Sequence, residues 1–348
     1  MQQVVYVANP LSGLIHVFAL SEEGLTPLQQ VQTGDQVQPL VISPDRRWLY
    51  AGVRPDFRVL SYPILADGRL GEPASAPLAG SASHTCTDGR GRLFFAASYA
   101  FDHVSVSAMD ETGRVQAPHQ RLDGLMAAHS VTWLAGKEGA QELLVACLKE
   151  DVIRRFALND DARLAPHPQG DIHTAPGAGP RHLALHPGNG DLYCLNELDG
   201  TLNRYQREAD GRIRPRQSLD MLPAGYQGER WGADIHLTPD GRFLYTSERA
   251  SSLLTLFGVD EKDGTLTPLG HFPTESCPRG FAIDHGGRWL IATGQQSRQV
   301  ALHRIDPGSG QLELIARHPV GEGAMWVRVL ILGKGIQGAR AAEMDAAP

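Results

Sequence analysis

Short apolar runs of four to seven residues alternate with polar, Gly-containing turns along nearly the whole chain. Their centres read Val5-Tyr6, Leu49-Tyr50, Phe94-Phe95, Leu144-Val145, Leu192-Tyr193, Leu244-Tyr245 and Leu290-Ile291. Most follow a turn of one kind, written SPDRR, TDGRG, HPGNG, TPDGR or DHGGR. Runs this short, rich in β-branched and aromatic residues and bounded by such turns, predict strands rather than helices. A second series keeps the same beat, an acidic or small turn closed by one apolar residue. It reads SEEGL at Leu25, ADGRL at Leu70, ETGRV at Val115, DDARL at Leu164, ADGRI at Ile213, KDGTL at Leu266 and GSGQL at Leu312, at spacings of 45, 45, 49, 49, 53 and 46 residues.

Each period has room for about four strands, and seven four-stranded units predict an all-β fold, a seven-bladed β-propeller. The ends predict how it closes. AMWVRVLI (324–331) has the character of an innermost strand but lacks a hairpin partner after it, and the missing strands stand at the other terminus, VVYVA and then IHVFAL. The seventh blade is therefore expected to be closed by N-terminal strands, which hides the sheet edges. Residues 1–332 are expected to form this one domain and 333–348 a loose tail. Within that tail GKGIQG matches a dinucleotide-binding pattern, yet only ten residues follow it, too few for a βαβ unit.

The repeat also separates two faces. If Leu183–Leu185 pairs with Leu192–Leu195 about the GNG turn, Arg181 falls opposite Glu197 at the open end of an inner hairpin, beside the central channel. In every blade the turn end is repetitive and the open end is not. The open ends present Gln38 and Arg54; His84 and Tyr99; His129 and Lys149; Arg181, His182 and Glu197; Trp231, Asp234, Glu248 and Arg249; Arg279 and Gln296; and Trp326 with Asn9. Bland turns need only turn chemistry, so the varied rim is the expected functional face. Trp48 and Trp289 sit at repeat positions and are expected in the core. The long segment MLPAGYQGERWGAD (221–234) is expected over the same face, with Arg230 and Trp231 in a partial lid.

Charge sharpens this picture. The chain carries 39 Asp and Glu against 32 Lys and Arg, a net −7, which argues against nucleic acid or an anionic membrane as partner. At the varied rim, however, Arg54, Lys149, Arg181, Arg249 and Arg279 outnumber Glu197, Asp234 and Glu248. A local basic pocket in an acidic protein suits a small phosphate- or carboxylate-bearing ligand. An ion pair such as Arg181–Glu197 is often only structural when exposed; beside His129 and further arginines it becomes a candidate for chemistry. Metal and nucleophile motifs are missing: there is no HExxH, P-loop or G-x-S-x-G, and the expected cofactor list is empty. The start MQQVVYVANP has no basic leader, no run approaches a membrane span, and Cys86, Cys147, Cys194 and Cys277 form no CxxC, so a reduced, cytoplasmic protein is expected. Nothing marks an oligomer interface.

Several segments resemble one family. VQPLVISPDRRWLYAGVRPDFRVLSY, GAGPRHLALHP, WGADIHLTPDGRFLY, PRGFAIDHGGRWLIATGQ and GAMWV are similar to the propeller-type bacterial 6-phosphogluconolactonases, a family that also resembles the fungal carboxy-muconate lactonising enzymes; the likeness runs from Val4 to about Val329. It implies metal-free hydrolysis of 6-phospho-glucono-δ-lactone, in the pentose phosphate pathway. The lactonising relatives imply a site of one histidine, two arginines and one glutamate, here His129, Arg181, Glu197 and either Arg249 or Arg279. Glu197, positioned by Arg181, is then the expected base with His129 as alternative base or acid. Arg54, Lys149, His182, Trp231, Asp234, Arg249 and Arg279 are the expected substrate contacts. The turn after His129, AGKEGAQ, departs from the family pattern. A muconate-type cycloisomerase and a non-catalytic propeller docking a partner protein on this rim are the alternatives.

Overall fold

A computed structural model describes residues 2–34, 36–135, 141–208 and 210–333. Its strands form seven separate sheets, six with four strands on the main path of pairing and one that adds a short fifth at Ile172–His173. Each blade is an antiparallel meander whose first strand lines the central channel. The inner strands of blades 1 to 6 are Leu40–Ile42, His84–Thr87, Ala128–Ala135, Pro180–Leu185, Gly232–Leu237 and Phe281–Ile283. Blade 7 is closed as expected: Trp326–Ile331 pairs antiparallel with Gln3–Asn9, from Ala8↔Trp326 to Gln3↔Ile331, and Leu14–Ser21 and Gly24–Gln32 complete it. Residues 334–348 of the expected tail, and 136–140 within the AGKEGAQ turn, lie outside the described residues.

The two sequence series turn out to hold the ring together. The tyrosine in the second strand of one blade donates a hydrogen bond to the turn glycine of the next. Tyr6 reaches Gly68 O (2.8 Å), Tyr50 Gly113 O (2.6 Å), Tyr193 Gly264 O (3.0 Å) and Tyr245 Gly310 O (2.5 Å). The glycines have little choice. Gly68 sits at φ +86° with the space for a Cβ filled by Val4 Cγ2 at 2.3 Å, and Gly113 sits at φ +96° against Trp48. The blade whose turn is DDARL, with Ala162 for glycine, follows the blade that carries Phe95 in place of tyrosine. Trp48 and Trp289 are buried between blades, as their repeat positions require.

Candidate active site

The inner strands of blades 3, 4 and 5 are irregular at one level. The ladder steps from Ala128↔Cys147 to Ser130↔Ala146, from Pro180↔Asn196 to His182↔Leu195, and from Gly232↔Glu248 to Ile235↔Thr246. Each step leaves one extra residue on the inner strand, which re-aims side chains as bulges do. The residues set free are His129, Arg181 and the Ala233-Asp234 pair. In each case a small residue or a Gly-Pro pair precedes the polar one, which is the one sequence sign of this geometry.

Arg181, 1 % exposed, donates from Nε to Glu197 Oε2 at 2.7 Å and from Nη1 to the Ala233 carbonyl. Arg249 Nη2 lies 2.8 Å from the same Glu197 oxygen, and its guanidinium stacks 3.8 Å from the Trp231 ring centroid. Both arginines thus hold Oε2, and among the described residues the only side-chain hydrogen bond to this carboxylate goes to Oε2 as well. Burial pushes the Glu197 carboxyl up, but Arg181 and Arg249 outweigh it and hold the group below its ordinary value. Burial and the like charge of Arg181 lower Arg249 to about 9 and Arg279 to about 10. Arg279 Nε is buried with no hydrogen-bond partner among the described residues, and so is Arg54 Nε, although Arg54 Nη2 donates to Ala82 O at 2.6 Å. Arg279 feels the charges of Arg181, Glu197 and Arg54, so four guanidinium groups are neighbours at this mouth.

His129 is buried, edge-on to Tyr99 (5.8 Å between ring centroids) and to His182 (5.2 Å). Burial, then Arg181, His182, Arg279 and Arg249, holds it well below the usual histidine value, so it is neutral at physiological pH; its Nδ1 has no partner among the described residues. Lys149 is exposed on a short 3-10 turn, its Nζ 5.8 Å from the Tyr99 ring centroid.

Two expected substrate contacts lie deeper. His182 sits behind Arg181, its Nε2 3.2 Å from Arg181 Nη1 and its Nδ1 2.8 Å from Asp234 Oδ1. His236, which the rim inventory missed, bonds the other oxygen of Asp234 at 3.1 Å; its place two residues on in the same inner strand was the available signal. His84, His182 and Trp326 pack edge-on across the channel, 5.3 to 6.2 Å apart, and floor the site. Glu248 is turned to structure, accepting from Trp231 N and from Ser251 N and Oγ. Arg230 points away from the pocket and pins its loop through Asp220 (2.9 and 2.8 Å). Of the expected lid pair only Trp231 therefore faces the site.

The chain that carries this basic propeller mouth has known relatives. The family model described as "Lactonase, 7-bladed beta-propeller" matches residues 4–329, and the chain belongs to that family. Among curated relatives, the proteins named 6-phosphogluconolactonase of Serratia proteamaculans and of Yersinia pestis are each 50 % identical, over 332 and 331 residues; these cover 95 % and 94 % of this chain and 99 % and 98 % of the relatives. Solved structures with the same fold include a periplasmic gluconolactonase of Pseudomonas aeruginosa (TM-score 0.86, 25 % identity, 96 % of this chain and 100 % of that one). A putative 6-phosphogluconolactonase of Bacteroides fragilis is another (TM-score 0.84, 23 % identity, 95 % and 98 % covered).

Proposed function

We propose that this chain hydrolyses 6-phospho-D-glucono-1,5-lactone to 6-phospho-D-gluconate in the pentose phosphate pathway, at the channel mouth around Glu197. The observation that carries this reading is the gathering of Arg54, Arg181, Arg249 and Arg279 around Glu197, whose Oε1 accepts no hydrogen bond among the described residues. Such a pocket is short of negative charge until an anion enters it. The phosphate is assigned to Arg54 and Arg279, whose Nε groups lack protein acceptors. Arg181 and Arg249 are committed to Glu197 instead, and exposed Lys149 acts as a longer-range attraction. The cytoplasm is the matching location: the substrate is an intracellular sugar phosphate and all four cysteines are free.

In the mechanism we assign, water attacks the lactone carbonyl while Glu197 Oε1 takes one of its protons. Arg249, stacked on Trp231, and the Nε2–H of neutral His129 stabilise the oxyanion. The tetrahedral intermediate then breaks its C1–ring oxygen bond, and Glu197 returns the proton to the departing alkoxide. One carboxylate thereby serves both steps, and the atoms balance as lactone plus water to hydroxy acid. Clasping by two arginines makes Glu197 a modest base but, once protonated, a willing acid. His129 plays the part of a neutral imidazole donor, a role its cationic surroundings favour.

The test follows lactone formed in situ by oxidation of glucose 6-phosphate, with and without the protein and in the presence of EDTA. Hydrolysis well above the spontaneous rate is expected, with kcat falling in Glu197→Gln and His129→Ala by about 10²-fold or more while KM changes little. No acceleration by folded protein would sink the lactonase reading; near-normal kcat in both variants would sink the residue assignment alone.

A further inference from the structure

Beneath Arg181 runs a chain of three side chains, buried His182 and Asp234 and part-exposed His236, that lies below the mouth. Asp234, 8 % exposed, accepts on Oδ1 from His182 Nδ1 (2.8 Å) and Ile235 N (3.0 Å), and on Oδ2 from His236 Nε2 (3.1 Å) and Phe281 N (3.3 Å). A carboxylate offers only acceptors, so each histidine must present an N–H to it. That fixes the tautomer of His182: the proton is on Nδ1, and Nε2 is a lone pair facing Arg181 Nη1 at 3.2 Å.

We infer that Asp234 and His182 are positioning residues for the lactone-opening reaction, holding the Arg181 guanidinium, and through it the Glu197 carboxylate, in the reactive orientation. The inference rests on the function proposed above. Its physical basis is the number of restraints on Arg181. A long side chain on a bulge has many rotamers; here Nε is held by Glu197, and Nη1 by Ala233 O and by His182 Nε2. Asp234 in turn prevents the imidazole from flipping or moving its proton to Nε2, which would set N–H against N–H. His84 and Trp326 pack edge-on against the ring and limit its movement. Misplacing a catalytic group by about 1 Å costs on the order of 10²-fold in rate, so the chain has leverage out of proportion to its distance from the substrate. His129 sits edge-on to the same ring at 5.2 Å, so both halves of the site share this support.

The experiment combines kinetics with ¹⁵N-histidine spectra of the whole protein. The wild-type spectrum should show His182 neutral with its proton on Nδ1 at about pH 7, and Asp234→Asn should lose that preference. His182→Phe keeps the aromatic packing and deletes both hydrogen bonds; kcat should fall by about 10²-fold with KM within about threefold. His182→Gln can offer an amide oxygen to Arg181 and should recover to within about tenfold of wild type. Unchanged thermal midpoints alongside these losses separate positioning from bulk stability. A wild-type His182 carrying its proton on Nε2, or a His182→Phe enzyme with normal kcat, overturns the inference. Because the tautomer is read without substrate, it stands or falls separately even if lactone hydrolysis itself is not found, and it needs no variant that folds poorly.

Discussion

Arg279→Gln separates binding of the phosphate from the chemistry at the lactone carbonyl. Arg279 enters the pocket without a carboxylate of its own; its Nε is buried and unpartnered, and Arg181 and Arg54 add to the cost of its charge. Lowering of the guanidinium from 12.5 to about 10, by burial first and Arg181 second, corresponds to roughly 3 kcal/mol of unfavourable free energy in the empty site. A phosphate would relieve that and add charge-assisted hydrogen bonds, each contributing about 1.5–3 kcal/mol. Arg279→Gln should therefore raise KM for the phosphorylated lactone about 10- to 100-fold and weaken inhibition by 6-phosphogluconate equally. kcat should stay within about threefold and, in ligand-free buffer, the thermal midpoint should be unchanged or higher by a few degrees. The assay runs beside unphosphorylated gluconolactone, whose kcat/KM should barely respond. An equal loss on both lactones, or a lower midpoint with unchanged KM, would refute the assignment of Arg279 to the phosphate.

Glu197 ties stability to pH with a definite sign. Its folded pKa lies below the unfolded value, so its contribution is present above the ordinary carboxylate range and is lost as pH falls through the lower folded value. Denaturation of wild type and Glu197→Gln should thus differ most near neutrality and converge in acid; the acid limb of kcat/KM should also fall below about pH 4.5, and a limb near 6 to 7 would point to another base. Trp231→Ala removes the face on which Arg249 stacks at 3.8 Å and should cost about 1 kcal/mol in substrate binding, read as a several-fold rise in KM. Tyr245→Phe strips the donor from Gly310 O and should destabilise the folded protein by about 1 kcal/mol in urea titrations without altering KM.

The fold was legible because its two repeat series are the two ends of one contact. A tyrosine in one blade and a turn glycine in the next must both recur if the blades are to be clasped, and Tyr6–Gly68, Tyr50–Gly113, Tyr193–Gly264 and Tyr245–Gly310 are those clasps. Closure was legible for a related reason, since Trp326–Ile331 had no hairpin partner after it and Gln3–Asn9 opened a run of strands with no inner strand before it. The roles of particular polar residues were harder to read. Arg230 and Glu248 look like pocket residues by position, yet Asp220 and the Trp231 and Ser251 backbone claim them. Nothing in the repeat tells a side chain which of two nearby partners will win.

The meeting of Arg181 and Glu197 shows why strand symmetry reaches only part of a site. Folding about Asn189 sets 181 opposite 197, but the ladder pairs Leu183 with Cys194 and Leu185 with Leu192, out of step with that symmetry. In an unbroken ladder of this register, Arg181 would face Asn196, and alternation would separate it from Glu197. The extra residue at 181 restores the contact: Pro180 takes Asn196, Glu197 N bonds to Gly179 O, and Arg181 is released toward the channel. The same release occurs at His129 and at Ala233-Asp234, so three neighbouring blades break their ladders at the level where charge must converge. Each break gives up a ladder hydrogen bond, and the tyrosine clasps lie away from this level, in the second strands and outer turns. The ring can therefore keep its shape while the inner strands deform, which is how a repetitive scaffold comes to hold a non-repetitive site.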